Sequence, residues 1–368
     1  MKVLVVGGGI IGCATADALA RAGARVTLFE RGAPGGEASG AAAGMLTALG
    51  GGPRTQFQDL AIASRRLYPG VADDLRARTG VDVELVRRGT LYPLHHAGEA
   101  VETGLAGPLV EELGVELLDE DETRRREPAL SPKIRGALFV AGDCWVNNQR
   151  LVVAYAQAAA SAGVEVRTGT AVTRLVLAGD RVGGVGADGE EIAGDAVLLA
   201  AGAWTGELTG QLGAALPVGP ARGQMLALAH VPPVLVHCVH GDDVYLVPRP
   251  SGELLVGATV ERVGFRREVT ARGIAGLLAT AIDLVPALGD RAITRTWYGF
   301  RPWAPDDLPI LGPWPGVAGL FVATAHYRNG IMLGPITAAL MSRWILEGAP
   351  GMDVGDFLPD RFLKGRPR

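Results

Sequence analysis

The chain opens on a short apolar run that glycines interrupt. Residues 3–6 (VLVV) are continuously apolar, which predicts a strand buried on both faces. A stretch with helical spacing, ATADALARAG, follows and ends at Gly23. A second apolar run, ARVTLFE, predicts another strand that ends at Glu30. The first thirty residues therefore predict a strand, a helix and a second strand.

The rest of the chain predicts helices and strands in separated groups. Apolar spacing predicts helices at 56–79, within 143–160, near 271–284 and at 331–348. Apolar runs predict strands within 81–94, at 164–167, 171–177, 195–204 and 319–326, and mainly strands from 217 to 300. The charged stretch 98–127 is predicted to be a helical, solvated surface. The 195–204 run (DAVLLAAGAW) should return the chain to the first sheet.

This distribution predicts an α/β protein with two domains, one of them built from discontinuous segments. We predict a Rossmann-like domain from residues 1–80, 143–216 and 300–368. Strand-rich insertions, residues 81–142 and 217–299, should form the second domain. Such an arrangement suits a cofactor that must meet its substrate at a domain interface.

Composition and charge exclude several classes of protein. The 368 residues include 35 basic and 39 acidic side chains, a net charge of -4, so a chain-wide nucleic-acid binder is excluded. No apolar run reaches the length of a membrane span, and glycines interrupt the first run too early for a signal peptide. Three widely spaced cysteines (Cys13, Cys144 and Cys238) favour a reducing compartment, the cytoplasm. A homo-oligomer is compatible with the sequence.

The turn after the first strand carries the G-x-G-x-x-G pattern of Gly7, Gly9 and Gly12. In dinucleotide-binding proteins the first glycine makes the tight turn, the second admits a pyrophosphate, and the third lets the helix pack on the sheet. Glu30 stands near the spacing expected of an acid that binds a ribose. It would repel a 2′-phosphate, so NADP is disfavoured, whereas NAD and FAD both remain open. The small residues of 31–48 fit either a flexible linker or a backbone lying against a flat ligand.

Five further stretches resemble one family, the FAD-dependent amine and D-amino-acid oxidases. Within that family the chain resembles the bacterial glycine oxidases of the thiamine pathway (ThiO type). The stretches are residues 38–46 (ASGAAAGML), 243–249 (DVYLVPR), 254–259 (LLVGAT), 297–302 (WYGFRP) and 326–332 (HYRNGIM). The resemblance implies a glutathione-reductase-type FAD domain and a substrate domain like that of D-amino-acid oxidase. The helix that starts after HYRNG could direct its N-terminus at an anionic reduced flavin.

The resemblance also implies which residues hold FAD. They are Gly7, Gly9, Ile10, Ile11, Gly12, Glu30, Arg31, Ala38, Ser39, Ala43, Gly44, Met45, Val172, Gly202, His326, Tyr327, Arg328, Asn329, Gly330, Ile331 and Met332. Some relatives attach flavin to a cysteine in the C-terminal half. Because no cysteine follows Cys238, we expect FAD to be bound without a covalent bond.

On the substrate side the resemblance implies three functional residues. Arg301 matches the position that binds the substrate carboxylate, a task that suits the planar guanidinium. Tyr245 matches a tyrosine that hydrogen-bonds the same carboxylate, and Arg328 matches a second arginine near substrate and flavin. Asp243 and Val260 depart from the histidine and methionine of the glycine-oxidase pattern. If 250–253 were a four-residue hairpin loop, these two would face each other in one pocket wall.

We therefore expect an oxidase of glycine or another small amino acid. Hydride would pass from Cα to FAD, the imine would hydrolyse, and O2 would be reduced to H2O2. The alternatives are an oxidase of D-amino acids, sarcosine or another secondary amine, a dehydrogenase that passes electrons to another acceptor, and a flavin-binding protein without catalysis. Arg301 and Tyr245 argue against the last. His237 and His240 match no zinc spacing, so no metal is expected.

Overall fold

The computed structural model describes residues 1–48, 55–96 and 112–363. Its helices are α1 (Ile10–Arg21), α2 (Ala38–Ala41), α3 (Gln56–Thr79), α4 (Glu120–Arg126), α5 (Asn148–Ser161), α6 (Thr205–Gly210), α7 (Ala271–Leu284) and α8 (Gly330–Glu347). Its first strands are β1 (Lys2–Val6), β2 (Arg25–Glu30), β3 (Met45–Leu46), β4 (Thr90–Leu94), β5 (Val115–Asp119), β6 (Gly136–Val140), β7 (Cys144–Trp145), β8 (Glu165–Thr168), β9 (Val172–Ala178) and β10 (Arg181–Ala187). The others are β11 (Glu190–Ala193), β12 (Ala196–Leu199), β13 (Gly219–Ala229), β14 (Cys238–His240), β15 (Tyr245–Pro248), β16 (Glu253–Gly257), β17 (Ile293–Trp303), β18 (Ile310–Pro313) and β19 (Leu320–Thr324).

The predicted βαβ unit forms the centre of a six-stranded sheet. Its strand order is β18-β19-β12-β1-β2-β8, and all neighbours are parallel except β18 and β19. Strand β12 pairs directly with β1, with Val5 opposite Leu198. The prediction that the 195–204 run returns to this sheet is confirmed, and so is the α/β fold class.

The two faces of this sheet are covered by different layers. Val3 and Val5 point to a core shared with the helices α1, α5 and α8. Leu4 and Val6 point to the opposite side and pack with residues of the antiparallel sheet β11-β10-β9, such as Val185. Successive strand residues face opposite sides, so a continuously apolar strand is what a sheet covered on both faces requires.

A mixed eight-stranded sheet lies beside this unit, in the order β17-β13-β16-β15-β14-β4-β6-β5. One face, with Leu226 and Leu246, packs against α7 through Leu277 and Ala281. The other face, with Met225 and Val247, packs against Ala43 and Trp145. Because Ala43 follows α2, this second face turns toward the segment that carries the predicted cofactor residues.

Two sequence expectations need correction. The region 98–127 is not wholly helical, since Val115–Asp119 is an edge strand that precedes the short α4; residues 98–111 lie outside the described part. Within 81–94 only Thr90–Leu94 is a strand. Positive φ angles at Glu84 (53°) and Gly89 (78°) turn the chain there, and local apolar content gave no sign of these turns. Across residues 1–48, 55–96 and 112–363, no helix has both the length and the apolar character needed to cross a bilayer.

Candidate active site

One continuous cavity of about 1470 Å³ runs from the glycine turn after β1 to the face of the eight-stranded sheet. It reaches Gly7 and Gly9 at one end and Arg301 and Tyr245 at the other. Pockets for single small ligands typically measure 300–1,000 Å³. This cavity is therefore large enough for a cofactor and a second, small molecule.

The glycine turn is packed too tightly for larger residues. Gly7 has φ 112°, and a Cβ atom there would lie 2.4 Å from the carbonyl oxygen of Ala200. A Cβ atom at Gly12 would lie 1.8 Å from the carbonyl oxygen of Gly7. The first and third glycines therefore have the roles that the motif assigns to them. Gly9 lines the cavity, so backbone is exposed where a phosphate would approach.

Glu30 turns its carboxylate back to this turn. It accepts hydrogen bonds from the N–H groups of Gly8 (2.7 Å) and Gly32 (2.7 Å). The neighbouring Arg31 stacks over the indole of Trp204, 3.6 Å from the ring centroid, and pairs with Glu37 at 3.0 Å. Contacts with the backbone or with one another thus hold the side chains of Glu30, Arg31, Glu37 and Trp204.

Two helix N-termini border the same cavity. Helix α1 begins after Gly9, which has no side chain to cap it, and α8 begins after Asn329, whose side chain makes no capping hydrogen bond. Ser39 Oγ accepts the N–H of Ile10 at 3.0 Å. Helix N-termini carry partial positive charge and free N–H groups, so both ends of the cavity favour anionic groups.

The turn between β19 and α8 is strained at non-glycine residues. Ala325 (φ 57°) and Tyr327 (φ 48°) adopt left-handed backbone conformations. Between them His326 is buried, with Nε2 3.1 Å from Thr337 Oγ1 on α8. Burial lowers the pKa of His326 to about 3, so the imidazole is neutral across the physiological range. Strain of this kind at the wall of a cavity is typical of ligand-binding turns.

Helix α8 is braced from α3 at a proline. Pro335 has no N–H to donate to the carbonyl of Ile331, and the Tyr68 hydroxyl donates to that carbonyl instead. Ser64 Oγ donates to the carbonyl of Met332 at 2.5 Å. Pro335 lies in the second turn of α8. The two hydroxyls fix the start of α8 where it borders the cavity.

The structure brings Arg301, Tyr245 and Arg328 to the same end of the cavity. The Arg301 guanidinium lies over Gly223, where a Cβ atom would be 2.3 Å from Nη1, and Nη1 donates to the carbonyl of Thr259 at 2.9 Å. Burial raises the pKa of Tyr245, and the positive charges of Arg301 and Arg328 oppose that rise. An uncharged hydroxyl and two cations therefore share one site, an arrangement that suits a carboxylate.

Asp243 and Val260 both line the mouth of the cavity and are exposed to solvent, Val260 at 49%. The expected pairing between them is wrong, because Tyr245 pairs with Gly257 and the register differs by one residue. Asp243 precedes β15 in an irregular turn and belongs to no strand. The two side chains share a cavity mouth without being cross-strand partners.

Most of the predicted cofactor residues line the cavity. Those that do are Gly7, Gly9, Ile10, Ile11, Glu30, Arg31, Ala38, Ser39, Ala43, Gly44, Met45, Val172, Gly202, His326, Tyr327, Arg328, Asn329, Gly330 and Ile331. Gly12 and Met332 do not. Gly12 packs beneath Gly7, and Met332 is 2% exposed in the core beneath α8.

Sequence reasoning did not find several cavity residues. Tyr92 stacks on His240 with ring centroids 5.3 Å apart, and both line the cavity near Tyr245. No motif marks Tyr92, because its strand reaches the site through long-range pairing. His237 lies elsewhere, with Nδ1 2.7 Å from Glu127 Oε1. In the described ranges no group of three or more His, Cys, Asp or Glu residues could hold a metal ion.

Comparison with known proteins places this geometry in a family. The model of the family described as FAD dependent oxidoreductase matches residues 2–344. Glycine oxidase of Geobacillus kaustophilus is 36% identical over 98% of this chain and 97% of its own, and a crystal structure of that enzyme covers 98% of this chain and 99% of its own with a TM-score of 0.92. The bifunctional protein ThiO/ThiG of Synechocystis sp. is 38% identical over 98% of this chain and 54% of its own length.

Proposed function

Since the chain belongs to the family of FAD-dependent oxidoreductases, we propose that it catalyses the oxidative deamination of glycine. Glycine, O2 and water would give glyoxylate, ammonia and H2O2. The similarity to glycine oxidase over nearly the whole of both chains supports this substrate. The similarity to ThiO/ThiG supports a role in thiamine thiazole synthesis, which would consume the imine product.

The observation that carries the proposal is that Arg301 and Tyr245 share one cavity with the glycine turn. Arg301 would hold the substrate carboxylate through two parallel N–H bonds, and the Tyr245 hydroxyl would donate a third. Arg328 would add positive charge beside them. A small amino acid held this way keeps its amine and Cα free to face the cofactor region.

The cavity walls fit FAD. Gly7 and Gly9 leave backbone exposed where the pyrophosphate would lie, Glu30 would bind the ribose, and the N-terminus of α8 borders the same cavity. Bound FAD would supply the acceptor for one hydride, that is two electrons and a proton, which O2 would then take up as H2O2. Gly12 would act indirectly, by letting α1 approach β1.

The residues of this chain would act mainly by positioning. Holding the carboxylate fixes Cα, and when the amine is neutral its lone pair can form the imine as Cα releases a hydride, without an obligatory side-chain base. The neutral His326 adds no charge near α8, so the positive potential there comes from the helix N-terminus and from Arg328. Sarcosine and small D-amino acids are expected as further substrates.

The test of the proposal is product stoichiometry. We expect purified protein with FAD to form glyoxylate, ammonia and H2O2 from glycine in equal amounts under air. Glyoxylate formed with an artificial electron acceptor but without H2O2 would identify a dehydrogenase instead. If the protein oxidised sarcosine or D-alanine but not glycine, it would be an oxidase of secondary amines or of D-amino acids instead.

The bound flavin should be released by denaturation. The described cysteines Cys13, Cys144 and Cys238 are buried, and burial raises the pKa of each thiol, so none offers a reactive thiolate for attachment. Acid precipitation of the yellow protein should leave FAD in the supernatant, detected by its absorbance. Flavin that stays with the pellet would contradict the non-covalent assignment.

We propose that Asp243 tunes the pH dependence of turnover. Its carboxylate at the cavity mouth would favour the ammonium form of the substrate, so kcat/KM should rise only at alkaline pH. Asp243→Asn should move that rise to lower pH and change the ranking of amine substrates. Asp180→Asn, in the exposed turn between β9 and β10 and outside the cavity lining, is the control. An unshifted profile with unchanged ranking for Asp243→Asn would place Asp243 outside the substrate's reach.

We also propose the division into a cofactor domain (1–80, 143–216 and 300–368) and a substrate domain (81–142 and 217–299). The strands of the six-stranded sheet fall in the first set of segments, and those of the eight-stranded sheet fall in the second apart from the end of β17, which runs to Trp303; this supports the division. A cytoplasmic location is proposed from the unpaired cysteines. A homo-oligomer stays a prediction, which light scattering of the purified protein would test.

A further inference from the structure

We propose that Glu261 is a positioning residue for Arg301 and acts through the main chain of Thr259. The inference rests on the proposed role of Arg301 in holding the substrate carboxylate. Glu261 itself does not line the cavity, and no sequence motif marks it. The inference comes from the hydrogen bonds that Glu261 accepts from Arg222 and Gln224 of β13 and from Thr259.

Arg301 is anchored to the main chain of Thr259. The guanidinium donates through Nη1 to the carbonyl oxygen of Thr259 at 2.9 Å and lies against Gly223. An arginine that binds a carboxylate in bidentate geometry needs a fixed guanidinium plane, because the direction of both N–H bonds depends on the orientation of that plane. The position of the Thr259 carbonyl therefore sets the direction of the guanidinium.

Thr259 is held in turn by Gln224 and Glu261. Its N–H donates to the carbonyl of Gln224 at 3.2 Å, and its Oγ1 accepts the N–H of Gln224 at 2.9 Å. The same hydroxyl donates to Oε1 of Glu261 at 2.6 Å. Thr259 lies beyond the last residue of β16, so these side-chain bonds replace regular strand pairing.

Glu261 is held by Arg222 and Gln224. Its Oε2 accepts from Nη2 of Arg222, whose side chain is only 3% exposed, and its Oε1 also accepts from Nε2 of Gln224 at 2.6 Å. Burial alone would raise the pKa of Glu261, but the bonds from Thr259, Arg222 and Gln224 outweigh it and lower the pKa. Glu261 therefore stays ionised and satisfies a buried cation and two polar groups together.

The network has a second branch that does not depend on Glu261. Gln224 Oε1 accepts the N–H of Thr270 at 2.6 Å, and Thr270 Oγ1 accepts the N–H of Gly273 and caps α7. Arg222 also donates to the carbonyls of Arg266 and Glu268 at 3.2 Å. Loss of the Glu261 charge should therefore loosen the Thr259 carbonyl while the cap of α7 persists.

The experiment compares Glu261→Gln with Glu268→Gln in the holoenzyme. Glu268 also lies beside Arg222, at 3.5 Å, but it is 44% exposed and has no bond to Thr259. We expect Glu261→Gln to raise the KM for glycine at least about fivefold and to change kcat by less than about twofold, because binding geometry is lost and flavin chemistry is not. Glu268→Gln should leave both parameters within about twofold.

A double-mutant cycle with Arg301→Lys separates positioning from general destabilisation. If Glu261 acts through Arg301, adding Glu261→Gln to Arg301→Lys should raise KM no further. A multiplied loss, or an unchanged KM in Glu261→Gln, would overturn the proposal. An unchanged KM in Arg301→Lys would instead contradict the proposed function, so the two failures are distinct.

A second variant decides the question if Glu261→Gln does not retain FAD. Thr259→Val removes the hydroxyl that joins residue 259 to Glu261 but keeps the carbonyl that accepts from Arg301. It leaves the Arg222–Glu261 ion pair in place. We expect the same rise in KM with kcat unchanged, and a KM equal to that of the wild type would overturn the proposal.

Discussion

Arg301→Lys is expected to lower kcat/KM for glycine by about tenfold to about 100-fold while FAD stays bound. Lysine keeps the positive charge but loses the planar fork that can make two parallel bonds to a carboxylate. One charge-assisted hydrogen bond contributes about 1.5–3 kcal/mol, which sets the size of the loss. Steady-state kinetics with glycine would measure the fall in kcat/KM, and the flavin absorbance of the purified variant would show whether FAD stays bound.

Arg295→Lys on the same strand is the matched control for this variant. Arg295 pairs with Glu253 at the protein surface, 3.0 Å away, and its side chain is 43% exposed. Exposed ion pairs contribute little, so kcat/KM should stay within about twofold. If both variants had wild-type kcat/KM, Arg301 would not bind the substrate.

Gly12→Ala is expected to produce protein that neither retains FAD nor reaches wild-type stability. The added methyl group would lie 1.8 Å from the carbonyl oxygen of Gly7, so α1 would have to move away from β1. Overpacking against a rigid backbone costs about 1–3 kcal/mol or more. The same movement would displace the glycine turn and the first N–H groups of α1, where the pyrophosphate is expected.

Gly70→Ala is the control that tests whether the loss of FAD and stability in Gly12→Ala comes from packing or from replacing any glycine in a helix. Gly70 lies inside α3, and a Cβ atom there would meet nothing within 4 Å. Alanine has the higher helix propensity, so Gly70→Ala should raise the free energy of unfolding by about 0.5–1 kcal/mol. Thermal unfolding and the ratio of flavin to protein absorbance check both variants. Gly12→Ala with full FAD and an unchanged Tm would contradict the packing argument.

The central sheet could be predicted because its signals are local. The apolar run 3–6, the spaced glycines and the acid at Glu30 specify strand, turn, helix and strand within thirty residues. The helix predicted at 56–79 is also observed with those bounds, since Thr55 caps it and Gly80 ends it. Capping residues and periodicity act over a few residues, which is the distance a sequence pattern can show.

The site could be predicted only where a family motif marked it. Arg301, Tyr245 and Arg328 stand in such motifs, and the structure brings them to one end of the cavity. The register of β15 and β16 could not be predicted, because a one-residue change in loop length shifts every cross-strand pair. The bonds from Ser64 and Tyr68 to α8 span more than 260 residues, and no local pattern indicates them.

The central claim is that glycine delivers its electrons to FAD in this cavity. The most direct test is to add glycine to the FAD-loaded protein without oxygen and to record the flavin absorbance. The proposal predicts that the yellow colour bleaches and that admitting air restores it with formation of one H2O2 per flavin. Flavin that stays oxidised with glycine, while another small amine such as sarcosine bleaches it, would contradict glycine as the substrate, and flavin that no small amine bleaches would contradict the assigned reaction.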